Sequence, residues 1–195
     1  MTIFVHDSAI VESGASIGEG TSIWHQGHVR ADAVVGVGCT FGKNVFIDRG
    51  VRVGNRVKVQ NNVSVYSGVT LEDDVLVGPS AVFTNDWFPR AFVNDWTVVP
   101  TLVHRGASIG ANATILCGTD IGELALVGAG SVVLRSVAAH ELVVGNPARR
   151  VGWVCTCGRP MPRSKSLEPP PVDAVCSACA SHWLRPLEHW MKASA

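Results

Sequence analysis

The chain has 195 residues, with 16 basic and 16 acidic side chains and no net charge. That balance argues against nucleic acid as the main partner, because phosphate binding needs clustered positive charge. Hydrophobic residues make up 47%, too many for a disordered chain, yet no apolar run nears the roughly 18 residues of a membrane span, so membrane insertion is not expected. The opening segment, MTIFVHDSAIVESG, lacks a basic stretch followed by an apolar one, so no signal peptide is read. A reducing, cytoplasmic setting follows, in which six cysteines serve as thiols or metal ligands rather than disulfides.

From Val5 onward the chain repeats every six residues. Val5, Val11, Ile17, Ile23, Val29, Val35, Phe41, Ile47, Val53, Val59, Val65, Leu71, Val77 and Phe83 are all large and apolar. Four positions after each stands a small or β-branched residue, such as Ala9, Ala33, Cys39, Val45 or Ala81. The frame resumes at Val103, Ile109, Ile115, Ile121, Val127 and Val133. A period of six fits no amphipathic helix. It fits a parallel β-helix: each hexad is a short strand and a turn, and alternation along the strand turns the large and small positions inward. Three hexads close a triangular coil of about 18 residues, stacked at about 4.8 Å. Cys39, at a small inward position, reads as packing.

Between Phe83 and Val103 the frame breaks. The two are 20 positions apart where one hexad needs six, so about 14 residues are ejected in an excursion over 84–102. It carries Trp87, Phe88, Phe92 and Trp96. Either it packs on its own coils or it covers a neighbouring subunit or a ligand cleft. The helix domain runs over 1–150. Beyond it, 151–195 is a proline-rich tail with Cys155-x-Cys157 and Cys176-x-x-Cys179, and a short helix from Pro186 to Ala193. Cys157 and Cys176 are spaced like the paired knuckles of structural zinc sites, so these four cysteines are the expected zinc ligands, with His182 as a substitute.

Residues about 18 apart sit above one another, which turns the sequence into a surface map. Asn44, Asn62 and Ser80 form one turn column, joined by Asn112 beyond the excursion; such a ladder is read as backbone capping. Arg30, Asp48, Tyr66 and Thr84 form another, with Arg30 and Asp48 as a surface ion pair. Arg49, Ser67 and Asn85 form a third, placing Asn85 where the excursion leaves and beside Tyr66. His25 is the histidine best placed to act as a general base. No histidine pair 18 or 36 apart has a third nearby, so a three-histidine zinc site is not supported.

These repeats resemble the hexapeptide-repeat, left-handed β-helix family over about residues 3–150. Ile23-Trp-His, Val59-Gln-Asn-Asn-Val-Ser-Val-Tyr66, Val82-Phe-Thr-Asn85, Pro89-Arg-Ala, Ile109-Gly-Ala-Asn and Val143-Val-Gly-Asn-Pro-Ala148 are similar, in the same order, to bacterial nucleotide-sugar N-acetyltransferases. The likeness is nearest to those acetylating the 3-amino group of UDP-2-acetamido-3-amino-glucuronate. The resemblance implies a left-handed hand, acetyl-CoA as co-substrate, a homotrimer with sites between subunits, and an asparagine at Asn85 that contacts the reacting amine. It also implies that Arg149 and Arg150 lie near CoA.

On this reading Asn85 orients a neutral amine and His25 is the reserve base. Tyr66, Gln60, Asn62 and Arg90 bind the nucleotide sugar, Arg90 by bidentate contact to a carboxylate or phosphate. Turn backbone at Gly110, Ala111, Gly128 and Ala129 lines the pantetheine channel. The alternatives are O-acetyl transfer, acetyl transfer to another small amine, and a γ-carbonic-anhydrase-like hydratase or non-catalytic scaffold.

Overall fold

A computed structural model describes residues 2–162 and 167–188. Each hexad forms a strand of two or three residues and a turn. Phe4–Val5, Ile10–Val11 and Ser16–Ile17 make the first coil, and the pattern continues to Val132–Val133. Strands pair in parallel at a constant offset, Phe4 opposite Ser22, Ser22 opposite Thr40 and Thr40 opposite Lys58. The result is a three-sided prism with faces of nine, seven and six strands. Its first edge joins the nine- to the seven-stranded face, its second the seven- to the six-stranded face, and its third closes the triangle.

The large and small inward positions fill the prism. Ile23, Phe41, Ile47, Val59, Phe83, Ile109 and Ile115 are buried, as are Ala33, Cys39, Val45, Val57 and Ala107. Cys39 packs there as expected, its thiol 3.1 Å from the Gly54 carbonyl oxygen. The exception is the first coil: Val5 and Val11 are 40% and 36% exposed, because among the described residues no coil lies below them. At the first edge Gln26, Asn44, Asn62, Ser80 and Asn112 all take φ near +60°, which shorter polar side chains tolerate best. Asn44 Nδ2 donates to Asn62 Oδ1 at 3.3 Å, and Asn61 Oδ1 accepts the Lys43 N–H at 2.8 Å. Within the expected ladder the bond is side chain to side chain; the backbone cap comes from Asn61, in the adjacent column.

The pairing register counts the excursion. Val69 lies opposite Thr101, Leu76 opposite Ser108 and Val82 opposite Thr114. Each offset is 32 rather than 18, a surplus of 14 residues. The strand Thr101–Val103 already resumes inside the 84–102 span, because Thr101 fills a small inward position before Val103.

The last coil ends in a hairpin, with Glu141–Val144 antiparallel to Arg149–Trp153. Beyond it Cys155, Met161, Cys176 and Trp183 form a buried cluster separate from the prism core. The chain then returns along the third edge. The Trp183 ring meets His140 edge-on at 5.3 Å, and Arg105 Nη1 lies 2.6 Å from Glu188 Oε1. The helix expected from Pro186 to Ala193 falls largely outside the described residues. Among the described residues, no helix is long and apolar enough to cross a membrane.

Candidate active site

The excursion leaves the prism at its second edge, at the end of the strand Val82–Phe83. Asn85 is held where the 18-residue count places it: its Nδ2 donates to the Ser67 carbonyl at 3.3 Å, and its own carbonyl accepts the Val99 N–H at 3.0 Å. Among the described residues its Oδ1 meets no donor, so that acceptor is free for a ligand. Thr84 Oγ1 accepts the Cys117 N–H at 2.9 Å, which ties the departure point to the coil above. Tyr66 is exposed on the coil below, edge-on to Phe46 at 6.2 Å, and Phe46 in turn meets His28 at 5.5 Å. Arg30 and Asp48 pair at 3.0 Å. Burial pushes the Asp48 carboxyl up, but the N–H groups of Arg49 and Ser67 and the Arg30 guanidinium outweigh it and hold the group below its ordinary value.

The base of the excursion packs on its own coil, while its tip does not. Trp87 and Val99 lie over Gly118, where a Cβ would stand 3.2 Å from each. Phe88 and Phe92 are 82% and 80% exposed, and Trp96 is half exposed. Arg90 is exposed and donates to the Pro89 carbonyl at 2.8 Å. The Trp87–Gly118 contact escaped the sequence reading; a glycine in the coil above the departure point was its only signal.

The other residues expected to serve as base, bind the acceptor or line the pantetheine channel lie on the first edge. His25, Gln60 and Asn62 are there, and above them Gly110, Ala111, Gly128 and Ala129. A Cβ on Gly110 would lie 2.5 Å from the Ala129 nitrogen, so these glycines let successive turns stack closely. His25 is on the second coil and Asn85 on the fifth. Within one chain they are separated by about 14 Å of stacking and by a face about 16 Å wide. The structure therefore does not bring His25 and Asn85 together in one chain. It sets His25 against His6 instead, ring centroids 3.6 Å apart and planes tilted by 30°; their spacing of 19 hid the pair from an 18-residue count.

Arg149 and Arg150 stand on the terminal hairpin. Arg149 Nη1 donates to the Ala148 carbonyl at 2.9 Å. Arg150 lies over the Trp153 ring at 5.2 Å, its Nε 3.5 Å from the buried Glu141 carboxylate. Arg135, unremarked in the sequence, approaches the same Glu141 oxygen at 4.0 Å.

The tail brings its four cysteines together. The Sγ atoms of Cys155, Cys157, Cys176 and Cys179 lie within 4.8 Å of one another, with Cys155–Cys179 at 3.7 Å and Cys157–Cys176 at 3.8 Å. Those separations far exceed a disulfide bond of about 2.05 Å. They match the edge of a tetrahedron with Zn–S bonds of about 2.3 Å, roughly 3.8 Å. Burial raises the Cys155 and Cys157 thiols. Burial also acts on Cys176, but the N–H groups of Cys179 and Ala178 and the adjacent thiols lower it to about 7. His182 is not part of this cluster.

Comparison with known proteins places this geometry. Residues 32–67 and 105–135 match the family described as hexapeptide repeat of succinyl-transferase. Over 156 residues the chain is 47% identical to the dTDP-3-amino-3,6-dideoxy-α-D-galactopyranose 3-N-acetyltransferase of Aneurinibacillus thermoaerophilus, covering 80% of this chain and 81% of that protein. The chain belongs to the hexapeptide-repeat acyltransferases, whose fold is the left-handed β-helix, and it is an acetyltransferase. A hexapeptide-repeat acetyltransferase from Vibrio cholerae, solved with acetyl coenzyme A, superposes with a TM-score of 0.53 at 25% identity, covering 68% of this chain and 70% of that one. A variant of the GDP-perosamine N-acetyltransferase of Caulobacter crescentus, solved with CoA and GDP-perosamine, shares the fold at a TM-score of 0.51 and 21% identity; the match covers 77% of this chain and 56% of that one.

Proposed function

We propose that the protein transfers the acetyl group of acetyl-CoA to the 3-amino group of a nucleotide-linked amino sugar. The observation that carries this is Asn85, fixed to Ser67 with its Oδ1 free at the mouth of the excursion, in a chain 47% identical to a 3-N-acetyltransferase. An amide cannot take a proton, but Asn85 Oδ1 can accept one N–H of a neutral amine and aim its lone pair at the thioester carbonyl. The new C–N bond forms as the carbonyl oxygen takes up negative charge, which preorganised backbone N–H groups stabilise. Collapse breaks the C–S bond, and the departing CoA sulfur takes the amine proton. Holding amine and thioester in contact supplies much of the rate.

The site is completed between chains. Asn85 and Tyr66 lie on the second edge, while Gly110, Ala111, Gly128 and Ala129, assigned to pantetheine, lie on the first. A homotrimer that sets the first edge of one chain against the second edge of the next unites them, and the exposed Phe88 and Phe92 cover the join. Arg149 and Arg150 serve CoA phosphates, and Arg90 and Asn62 the acceptor. A dTDP-linked 3-amino sugar is the first acceptor to try, ahead of the UDP sugar. Incubation with acetyl-CoA and a panel of nucleotide-linked amino sugars tests the reading. It expects an acetyl mass gain on a 3-amino sugar matched by thiol release; thiol release without gain on any amine would sink it.

In the same reading 1–150 is the catalytic unit and 151–195 a tail fastened by a structural zinc on Cys155, Cys157, Cys176 and Cys179. The convergence of the four sulfurs supports this, and so does the tail's poverty in core-forming residues. Zinc thiolates and acetyl-CoA both suit the cytoplasm.

A further inference from the structure

We propose that Trp24, His25, Lys43 and Gln60 form the subsite for the nucleotide part of the acceptor, with the base against Trp24 and His25 and the diphosphate at Lys43. This rests on the reading that the acceptor is nucleotide-linked, and it gives His25 a binding role in place of a catalytic one.

Two adjoining clefts of about 330 and 390 Å³ meet on the first edge and share His25 and Lys43. The Trp24 ring is 42% exposed and parallel to His25 within 10°, their centroids 6.2 Å apart. Phe4 braces Trp24 from below at 5.2 Å. The exposed Trp24 ring, with the parallel His25 ring 6.2 Å away, offers an aromatic surface on which a nucleobase stacks. One coil higher, the Lys43 ammonium pairs with no carboxylate among the described residues. Gln60, half-buried above it, offers both donor and acceptor to a base edge.

Charge separates this edge from the other two. From Trp24 to Ala129 its turns carry no acidic residue; the one carboxylate, Asp7, lies a coil below. The second edge carries Glu12, Asp32 and Asp48. The third carries Glu72, Asp73 and Asp74, engaged with Arg56, His104 and Arg105. A ligand with a diphosphate is repelled least along the first edge, where an unpaired lysine awaits it. The subsite lies at the N-terminal end and the assigned pantetheine turns at the other, so both substrates fit on one edge.

Calorimetric titration of the full-length protein with dTDP and, separately, with CoA tests this. The wild type is expected to bind both. Trp24→Leu and Lys43→Gln, both at exposed side chains, are each expected to weaken dTDP by about tenfold, the scale of losing one stacked base or one phosphate contact, and to leave CoA affinity within about twofold. Unchanged melting temperatures confirm that both variants fold. If either variant binds dTDP as the wild type does, or loses CoA equally, the subsite is wrong. A wild type that binds CoA but not dTDP also refutes it; one that binds neither overturns the acetyltransfer reading itself.

Discussion

In the proposed reaction Asn85 works without titrating. Its Nδ2 donates to the Ser67 carbonyl, which orients the amide plane, and the proposal gives Oδ1 to the amine. Asn85→Ala should lower kcat/KM for the amino sugar by about a hundredfold, the scale of losing one positioned hydrogen-bonding group, while KM for acetyl-CoA stays put; steady-state thiol release measures both. Gly110 makes a different demand. A methyl there meets the Ala129 nitrogen at 2.5 Å, so Gly110→Ala should cost about 1–3 kcal/mol in urea unfolding. Asn85 was legible in the sequence because it lies 18 residues after Ser67. The His6–His25 ring contact was not, since ring contacts depend on rotamers that a column count does not contain.

At the scale of elements, the excursion and the tail differ in what the sequence reveals. The register offset of 32 confirms that 14 residues leave the frame, and a broken period announces such an event directly. Where the ejected chain goes depends on Trp87 finding Gly118, a contact with no periodic signature. The cysteine spacing foretold that four sulfurs would converge, though the first pair is one residue shorter than the usual knuckle; the hairpin Glu141–Val144 with Arg149–Trp153 delivers Cys155 to the cluster. Metal analysis should find about one zinc per chain. A strong chelator should remove it, free all four thiols for titration and change the near-ultraviolet signal of Trp153 and Trp183, while the prism keeps its strand content because its core is separate. Freely titrating thiols in the untreated protein would remove the zinc.

For the whole molecule, a strict six-residue pattern left few folds to choose from, and the inward positions named from it are those the structure buries beyond the first coil. The proposed assembly is less legible in sequence, because a prism edge looks alike whether it meets solvent or a neighbour. Charge pairs along the edges set the pH response. The Asp48 and Asp73 carboxyls, despite burial, are held below the ordinary 3.8 by backbone and side-chain hydrogen bonds and by arginines. A depressed folded-state value stabilises above the unfolded value and is lost as pH falls through the folded one. The urea midpoint should therefore hold between about pH 7 and 5 and fall below about pH 4.

A crystal structure with CoA and dTDP bound is the most direct examination of the site itself. The account predicts pantetheine running past Gly110 and Gly128 of one chain, its sulfur beside Asn85 of a neighbouring chain under the exposed tip of the excursion. A CoA sulfur far from every Asn85, with Phe88 and Phe92 lying flat on their own prism, would contradict it.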